Sequence, residues 1–185
     1  TDKADFMTRA VRAGLETDEV TGAVVPPIHL SATYAFRGYG EKRAYDYSRS
    51  GNPTRDLLGA ALAELEGGAG AVITSSGMAA VSLCTQVLPA RARVVAPHDC
   101  YGGSYRLFDA LNRRGDLKVD FVDFGDEAAL RAALSQPAAL LWVETPSNPL
   151  LRLTDIAAVA ALGKAAGALV AVDNTFLSPG WQQPL

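Results

Sequence analysis

The stretch Ala168-Leu169-Val170-Ala171-Val172-Asp173-Asn174-Thr175 decides the reading of the fold. Its apolar run is strand-length, nearly continuous, and ends on a carboxylate. Four earlier runs have the same character: Ala71–Thr74, Val94–Ala96, Val119–Val122 and Ala139–Val143. Apolar residues at helical spacing separate them near 78–88, 104–113, 127–134 and 154–166. A further helical pattern (Leu57, Leu58, Ala61, Leu62, Leu65) opens at Asn52-Pro53, a cap and first-turn pair, and stops at Gly67-Gly68. Continuous apolar strands alternating with helices predict an α/β fold: a mostly parallel sheet with helices on both faces.

Composition narrows the classes. A chain of 185 residues with 49% hydrophobic and 20% charged residues can bury a sizeable core. Its formal charge of −3 and scattered arginines argue against nucleic acid as partner. Cys84 and Cys100 form no CxxC pair, and His29 and His98 are the only histidines, so no metal site is expected. No apolar run approaches the ~20 residues of a membrane helix, and Thr1–Asp5 lacks the pattern of a secretion signal. The expectation is a cytoplasmic protein with no membrane partner.

Residues 1–55 differ in texture. A short helical pattern (Phe6, Ala10, Val11, Leu15) leads to an extended stretch around Pro26-Pro27, then to aromatics including Tyr34, Tyr45 and Tyr47. This region reads as an arm rather than a domain.

In open parallel sheets ligands bind beyond the carboxyl ends of the strands. There the sequence places Ser75-Ser76-Gly77-Met78, Tyr101-Gly102-Gly103, Glu144-Thr145-Pro146-Ser147-Asn148-Pro149 and Asp173-Asn174-Thr175. Ser75-Ser76-Gly77 at a helix start suits an anion, because free N–H groups and the helix dipole attract one; an ordinary N-cap uses the same residues. Asp173 is costly to bury unpaired, and a pyridinium nitrogen is one partner; a turn or cap is the other reading. Tyr101 either stacks on an aromatic ring or fills a crevice. Arg49 on the arm either meets phosphate or is solvated. No GxGxxG or P-loop pattern occurs.

In order, these stretches, with Tyr47-Ser48-Arg49-Ser50-Gly51-Asn52-Pro53-Thr54 and Leu65-Glu66-Gly67-Gly68, resemble the pyridoxal-phosphate enzymes of cysteine and methionine metabolism. The resemblance implies the aspartate-aminotransferase-like fold (fold type I), with residues 1–55 an arm on a neighbouring subunit and 56–185 an incomplete cofactor-binding large domain. It implies pyridoxal 5'-phosphate as cofactor. Gly77 and Met78 would hold its phosphate, and Tyr47 and Arg49 would reach it from a neighbouring subunit. Tyr101 would stack on the ring and assist proton movements, Asp173 would pair with the ring nitrogen, and Asn148 and Thr175 would line the pocket.

Residues 96–109, Val25–Ser31 and Ser147–Arg152 look most like the bacterial members that make cystathionine. Those exchange the γ-substituent of an O-acyl-L-homoserine, usually O-succinyl, for the sulfur of L-cysteine. Asp46 and Arg106 are then the expected substrate contacts, although Ser50 stands where some of these enzymes have a second arginine. A lyase acting on cystathionine, a sulfhydrylase, or a non-catalytic assembly partner are the other readings. The family's Schiff-base lysine follows the Asp-Asn-Thr strand, but the lysines here are Lys3, Lys42, Lys118 and Lys164. The expectation is therefore the N-terminal portion of a longer enzyme, assembled as a homotetramer with shared active sites.

Overall fold

The computed structural model describes residues 5–185; Thr1–Ala4, including Lys3, lie outside them. These residues divide into two compact units, one running to Ile73 and taking in Leu185, the other Thr74–Pro184. This division by compactness, at 73/74, is a different property from the expected arm (1–55) and large domain (56–185), which are defined by contact with a neighbouring subunit.

The first unit holds α1 (Phe6–Arg12) and α2 (Pro53–Glu66). Leu57 and Ala61 of α2 lie against Gly14, just past the end of α1, which is why α2 groups with the arm. Asn52 caps α2 as its sequence predicts, its side chain accepting the N–H groups of Thr54 and Arg55. Gly67 ends the helix in the left-handed region (φ 72°), where a Cβ would be strained. The arm between the helices is irregular, and an isolated antiparallel bridge joins Thr33 to Tyr47.

The second unit runs α3 (Gly77–Gln86), β1 (Ala92–Pro97), α4 (Gly102–Arg114), β2 (Leu117–Val122), α5 (Glu127–Ala133), β3 (Leu140–Glu144), α6 (Ile156–Ala165), β4 (Leu169–Asp173) and α7 (Ser178–Trp181). The strands form one parallel sheet in the order β2-β1-β3-β4. The fifth expected strand, Ala71–Thr74, is not a strand: its apolar run is right for one, but its backbone has no ladder among the described residues. A strand needs a neighbour as well as a pattern.

Strand alternation sorts the core into two faces. Val94, Ala96, Leu140 and Trp142 pack with Val81 of α3 and Phe108 of α4. Val95, Leu141 and Val143 pack with Leu130 of α5 and Val159 of α6. Both faces of β1 and β3 are covered, so these central strands tolerate no polar residue until their ends, and Val94, Val95 and Ala96 are fully buried. Phe108 meets Trp142 edge-on, with ring centroids 5.5 Å apart. The sheet's carboxyl edge is consequently where the polar side chains emerge.

Candidate active site

Three strand ends and one helix start converge on a cavity of about 370 Å³ in the second unit. Residues Gly77, Met78, Tyr101, Asn148, Asp173 and Thr175, all picked out in the sequence, line it.

The helix start is α3. Ser76 caps it, its hydroxyl accepting the N–H of Ala79, while its carbonyl takes that of Ala80. The N–H groups of Gly77 and Met78 are left without a partner among the described residues, as first-turn amides are. A Cβ built on Gly77 meets nothing within 4 Å, so the backbone stands open to the cavity. The capping and anion-holding readings of Ser75-Ser76-Gly77 are therefore compatible, since they use different amides.

Tyr101 precedes α4. A Cβ on Gly103 would lie 2.5 Å from Tyr101 Cε1 and 2.8 Å from Met78 Sδ, so the ring and the sulfur occupy space that only glycine leaves free. The main-chain N–H of Tyr101 donates to the carboxylate of Glu144, at 2.9 Å to Oε1 and 2.8 Å to Oε2. The N–H of Asn148 reaches the same Oε1 at 3.1 Å.

Glu144 ends β3 and is buried, and it also lines the cavity. Its register partner is Asp173, so the two carboxylates share one face of adjacent parallel strands. Burial pushes the Glu144 carboxyl above the ordinary range; its two N–H donors pull it down, and Asp173 and Asp99 push it further up. Asp173 Oδ1 accepts the Thr175 N–H at 3.1 Å and hydroxyl at 2.5 Å. The turn reading of Asp173 thus holds for one oxygen, and Oδ2 has no partner among the described residues. Cys100 next to Tyr101 is buried, and burial raises its thiol to about 12, which leaves it protonated and inert near neutrality.

Glu144 was not singled out from the sequence, although the signal was present. It ends the apolar run Ala139–Val143 as Asp173 ends its own, and the cost of burying a lone carboxylate applies equally to both. Phe176 also lines the cavity, and nothing in its sequence context marks it.

Other expected residues stand elsewhere. Arg106 lies on α4 away from the cavity lining, with Nη1 3.3 Å from where a Gly102 Cβ would be. Tyr47, Arg49 and Asp46 belong to the first unit. There the Arg49 guanidinium lies 5.0 Å over the Tyr47 ring, and both side chains are exposed. Asp46 pairs with Lys42 Nζ at 2.6 Å, and this bond holds its carboxyl below the usual range.

The family model for Cys/Met metabolism PLP-dependent enzymes matches residues 7–185. The chain belongs to that family. The chain is 63% identical over 179 residues to cystathionine gamma-synthase of Escherichia coli K12, covering 96% of this chain and 46% of that protein. It is 42% identical to cystathionine beta-lyase of Coxiella burnetii, covering 99% of this chain and 48% of that one. The crystal structure of cystathionine gamma synthase from Xanthomonas oryzae pv. oryzae, in complex with aminoacrylate and cysteine, superposes with a TM-score of 0.94 at 54% identity. It covers 97% of this chain and 47% of that one. The chain therefore spans about half the length of the relatives it matches.

The cavity fits the cofactor of the Cys/Met metabolism family. Pyridoxal phosphate presents a dianion, a flat aromatic ring and a basic ring nitrogen. Opposite these the chain offers two unpaired helix-start amides, a tyrosine ring seated on Gly103, and a carboxylate with one oxygen unpartnered. None of the described lysines lines the cavity. Among the described residues no helix is long and apolar enough to cross a membrane, and no cluster of ligating side chains suits a metal ion.

Proposed function

We propose that these residues form the cofactor-holding part of a pyridoxal-phosphate enzyme, a cystathionine γ-synthase. Its substrates would be an O-acyl-L-homoserine, specifically O-succinyl, and L-cysteine. In the net reaction the Cγ–O bond breaks and a Cγ–S bond forms. The thiol proton is released and the acyl group leaves as its carboxylate. The observation that carries this reading is the convergence of the Gly77 and Met78 amides, the Tyr101 ring and the Asp173 carboxylate on one cavity.

When bound, pyridoxal phosphate supplies the electron sink that stabilises negative charge on the substrate's α-carbon. The chain's own residues do the holding. The amides of Gly77 and Met78 bind the phosphate at the positive end of α3. Tyr101 covers one face of the ring and excludes water from it. Asp173 keeps the ring nitrogen protonated, because a carboxylate beside that nitrogen raises its basicity. Asn148 and Thr175 complete the wall. Tyr47 and Arg49 fit the role of a second phosphate clamp contributed to a neighbouring subunit of a homotetramer, where Arg's planar donors suit a phosphate. Asp46 and Arg106 carry the charges that would meet the substrate's ammonium and distal carboxylate.

A second reading, favoured by the 42% identity to the Coxiella lyase, is cleavage of cystathionine. Incubating the full-length protein with O-succinylhomoserine and cysteine, against cystathionine alone, separates the two. Cystathionine formation supports the synthase; turnover of cystathionine alone, with none made, supports the lyase. In the same assay Asp173→Ala should nearly abolish activity, and near-normal turnover would overturn the ring-nitrogen assignment.

A further inference from the structure

Asp173 ends β4 and Asn148 sits on the loop after β3, yet both must meet one small ligand. A side chain outside the cavity joins the segment after β4 to that loop. Gln182 follows α7, and its Nε2 donates to the carbonyl of Thr145 at 2.9 Å and to Asn174 Oδ1 at 2.9 Å. In return, Asn174 Nδ2 donates to the main-chain carbonyl of Gln182 at 2.7 Å. The main chain closes the same segment: Ser178 N–H donates to the Asn174 carbonyl at 3.0 Å, and Gln182 N–H to the Ser178 carbonyl at 3.1 Å. The segment 174–182 is thus tied to itself by the two amides. The Gln182 amide then carries a bond across to the β3 loop.

The placement is specific. Thr145 is buried, and its hydroxyl receives the N–H of Thr154 at 3.0 Å, so its carbonyl is fixed in place. Thr145, Asn174 and Gln182 do not line the cavity. The residues on either side of Thr145 (Glu144 and Pro146) and of Asn174 (Asp173 and Thr175) all do. A bond between the two middle residues therefore sets the spacing of the four that face the ligand.

We propose that Gln182, acting with Asn174, is a positioning residue that holds the Asp173 loop in register with the Glu144–Asn148 loop for the cofactor. This rests on the pyridoxal-phosphate reading above. Without the amide, the Thr145 carbonyl loses its donor, and the β3–β4 ladder, which ends at Glu144 and Asp173, is left to relate the two loops. Site groups must be held to a fraction of an ångström to act together, and it is the supporting bonds that do so.

The test uses the full-length protein and pyridoxal phosphate as the probe. Gln182→Met keeps the reach and removes both hydrogen bonds donated by the side-chain amide; Asn174→Ala removes the partner. Each should weaken cofactor binding by about tenfold, as for loss of one or two half-buried hydrogen bonds. Each should also diminish the cofactor's visible circular dichroism, which reports how rigidly the ring is held. The double variant should lose little more than either single one, because both cut the same link.

Unchanged affinity and dichroism, even with a lowered thermal midpoint, would mean that the amides only stitch the segment and would overturn the proposal. Two losses that simply multiply would also overturn it. If Gln182→Met fails to fold, Asn174→Ala decides by the same readouts. A wild-type protein that takes up no cofactor would bring down the functional reading and this inference together, whereas a cofactor-binding wild type with indifferent variants would bring down this inference alone.

Discussion

The carboxylate of Glu144 receives the main-chain N–H of Tyr101 on both oxygens, at 2.9 and 2.8 Å, across 43 residues of sequence. It also receives the N–H of Asn148, so one buried side chain fixes two of the residues that line the cavity. Hydrogen bonds to a charged acceptor are worth more than neutral ones, and their loss strands the donors. Glu144→Ala should cost the full-length protein about 2–4 kcal/mol in urea unfolding. Glu144→Gln, which keeps one acceptor oxygen, should cost about half of that. A change within about 0.5 kcal/mol of zero for the alanine variant would contradict this role.

The same carboxyl has an unusual pH signature. It is raised in the folded protein, by burial first. Between the ordinary glutamate value and the raised one, the folded state therefore holds a proton that the unfolded state has lost. Its contribution to stability is greatest below the ordinary value and declines as pH rises through the raised one. Carboxylates held low by a cation, such as Asp46 beside Lys42, work the other way. Unfolding wild type and Glu144→Gln side by side from about pH 4 to 8 isolates the effect. The wild type should gain on the variant as pH falls, and a gain as pH rises would contradict the sign.

Gly103 marks where backbone and ring are closest. A methyl there would overlap Tyr101 Cε1 and Met78 Sδ, at 2.5 and 2.8 Å. The Tyr101 ring is 43% exposed and the Met78 side chain is flexible, so both are expected to give way and Gly103→Ala should lower stability by only about 1 kcal/mol. The ring's departure should show as weaker cofactor binding and altered visible circular dichroism. Unchanged cofactor affinity and dichroism would contradict the proposed stacking of Tyr101 on the cofactor.

The sheet was legible because β1 and β3 are buried on both faces, and only continuous apolar runs such as Val94–Ala96 and Ala139–Val143 satisfy that. Helix starts at Asn52 and Ser76 were legible from capping chemistry alone. The run Ala71–Thr74 was misread because local pattern says nothing about whether a neighbour exists. Gly77, Met78, Tyr101, Asn148, Asp173 and Thr175 line one cavity, as expected from polar loops at the sheet's carboxyl edge together with the family resemblance; their roles toward a cofactor are proposals. The position of Glu144 at the end of an apolar run was legible, but its main-chain donors, Tyr101 and Asn148, were not; Gln182 has no such signal, because its partner carbonyl on Thr145 lies 37 residues away.

Arg93 tests whether stability and site can be separated. It sits near the amino end of β1, and its largely buried side chain reaches three elements at once. Nε donates to Asp120 Oδ2 on β2 at 2.7 Å, Nη1 to the Gln136 carbonyl at 3.0 Å, and Nη2 to the Ala133 carbonyl at 2.8 Å. Ala133 closes α5, where a cation is favoured by the helix dipole. Lysine carries the charge but not the planar fork, so Arg93→Lys should cost about 1–2 kcal/mol and Arg93→Ala about 3. Tyr101 stands beyond the opposite end of this strand, whose six residues at roughly 3.3 Å each keep the two ends well apart. Cofactor affinity measured well below the thermal midpoint should therefore be unchanged in both variants. A cofactor affinity that fell in step with stability would show that the amino end of β1 is coupled to the site, and that the strand does not insulate one from the other.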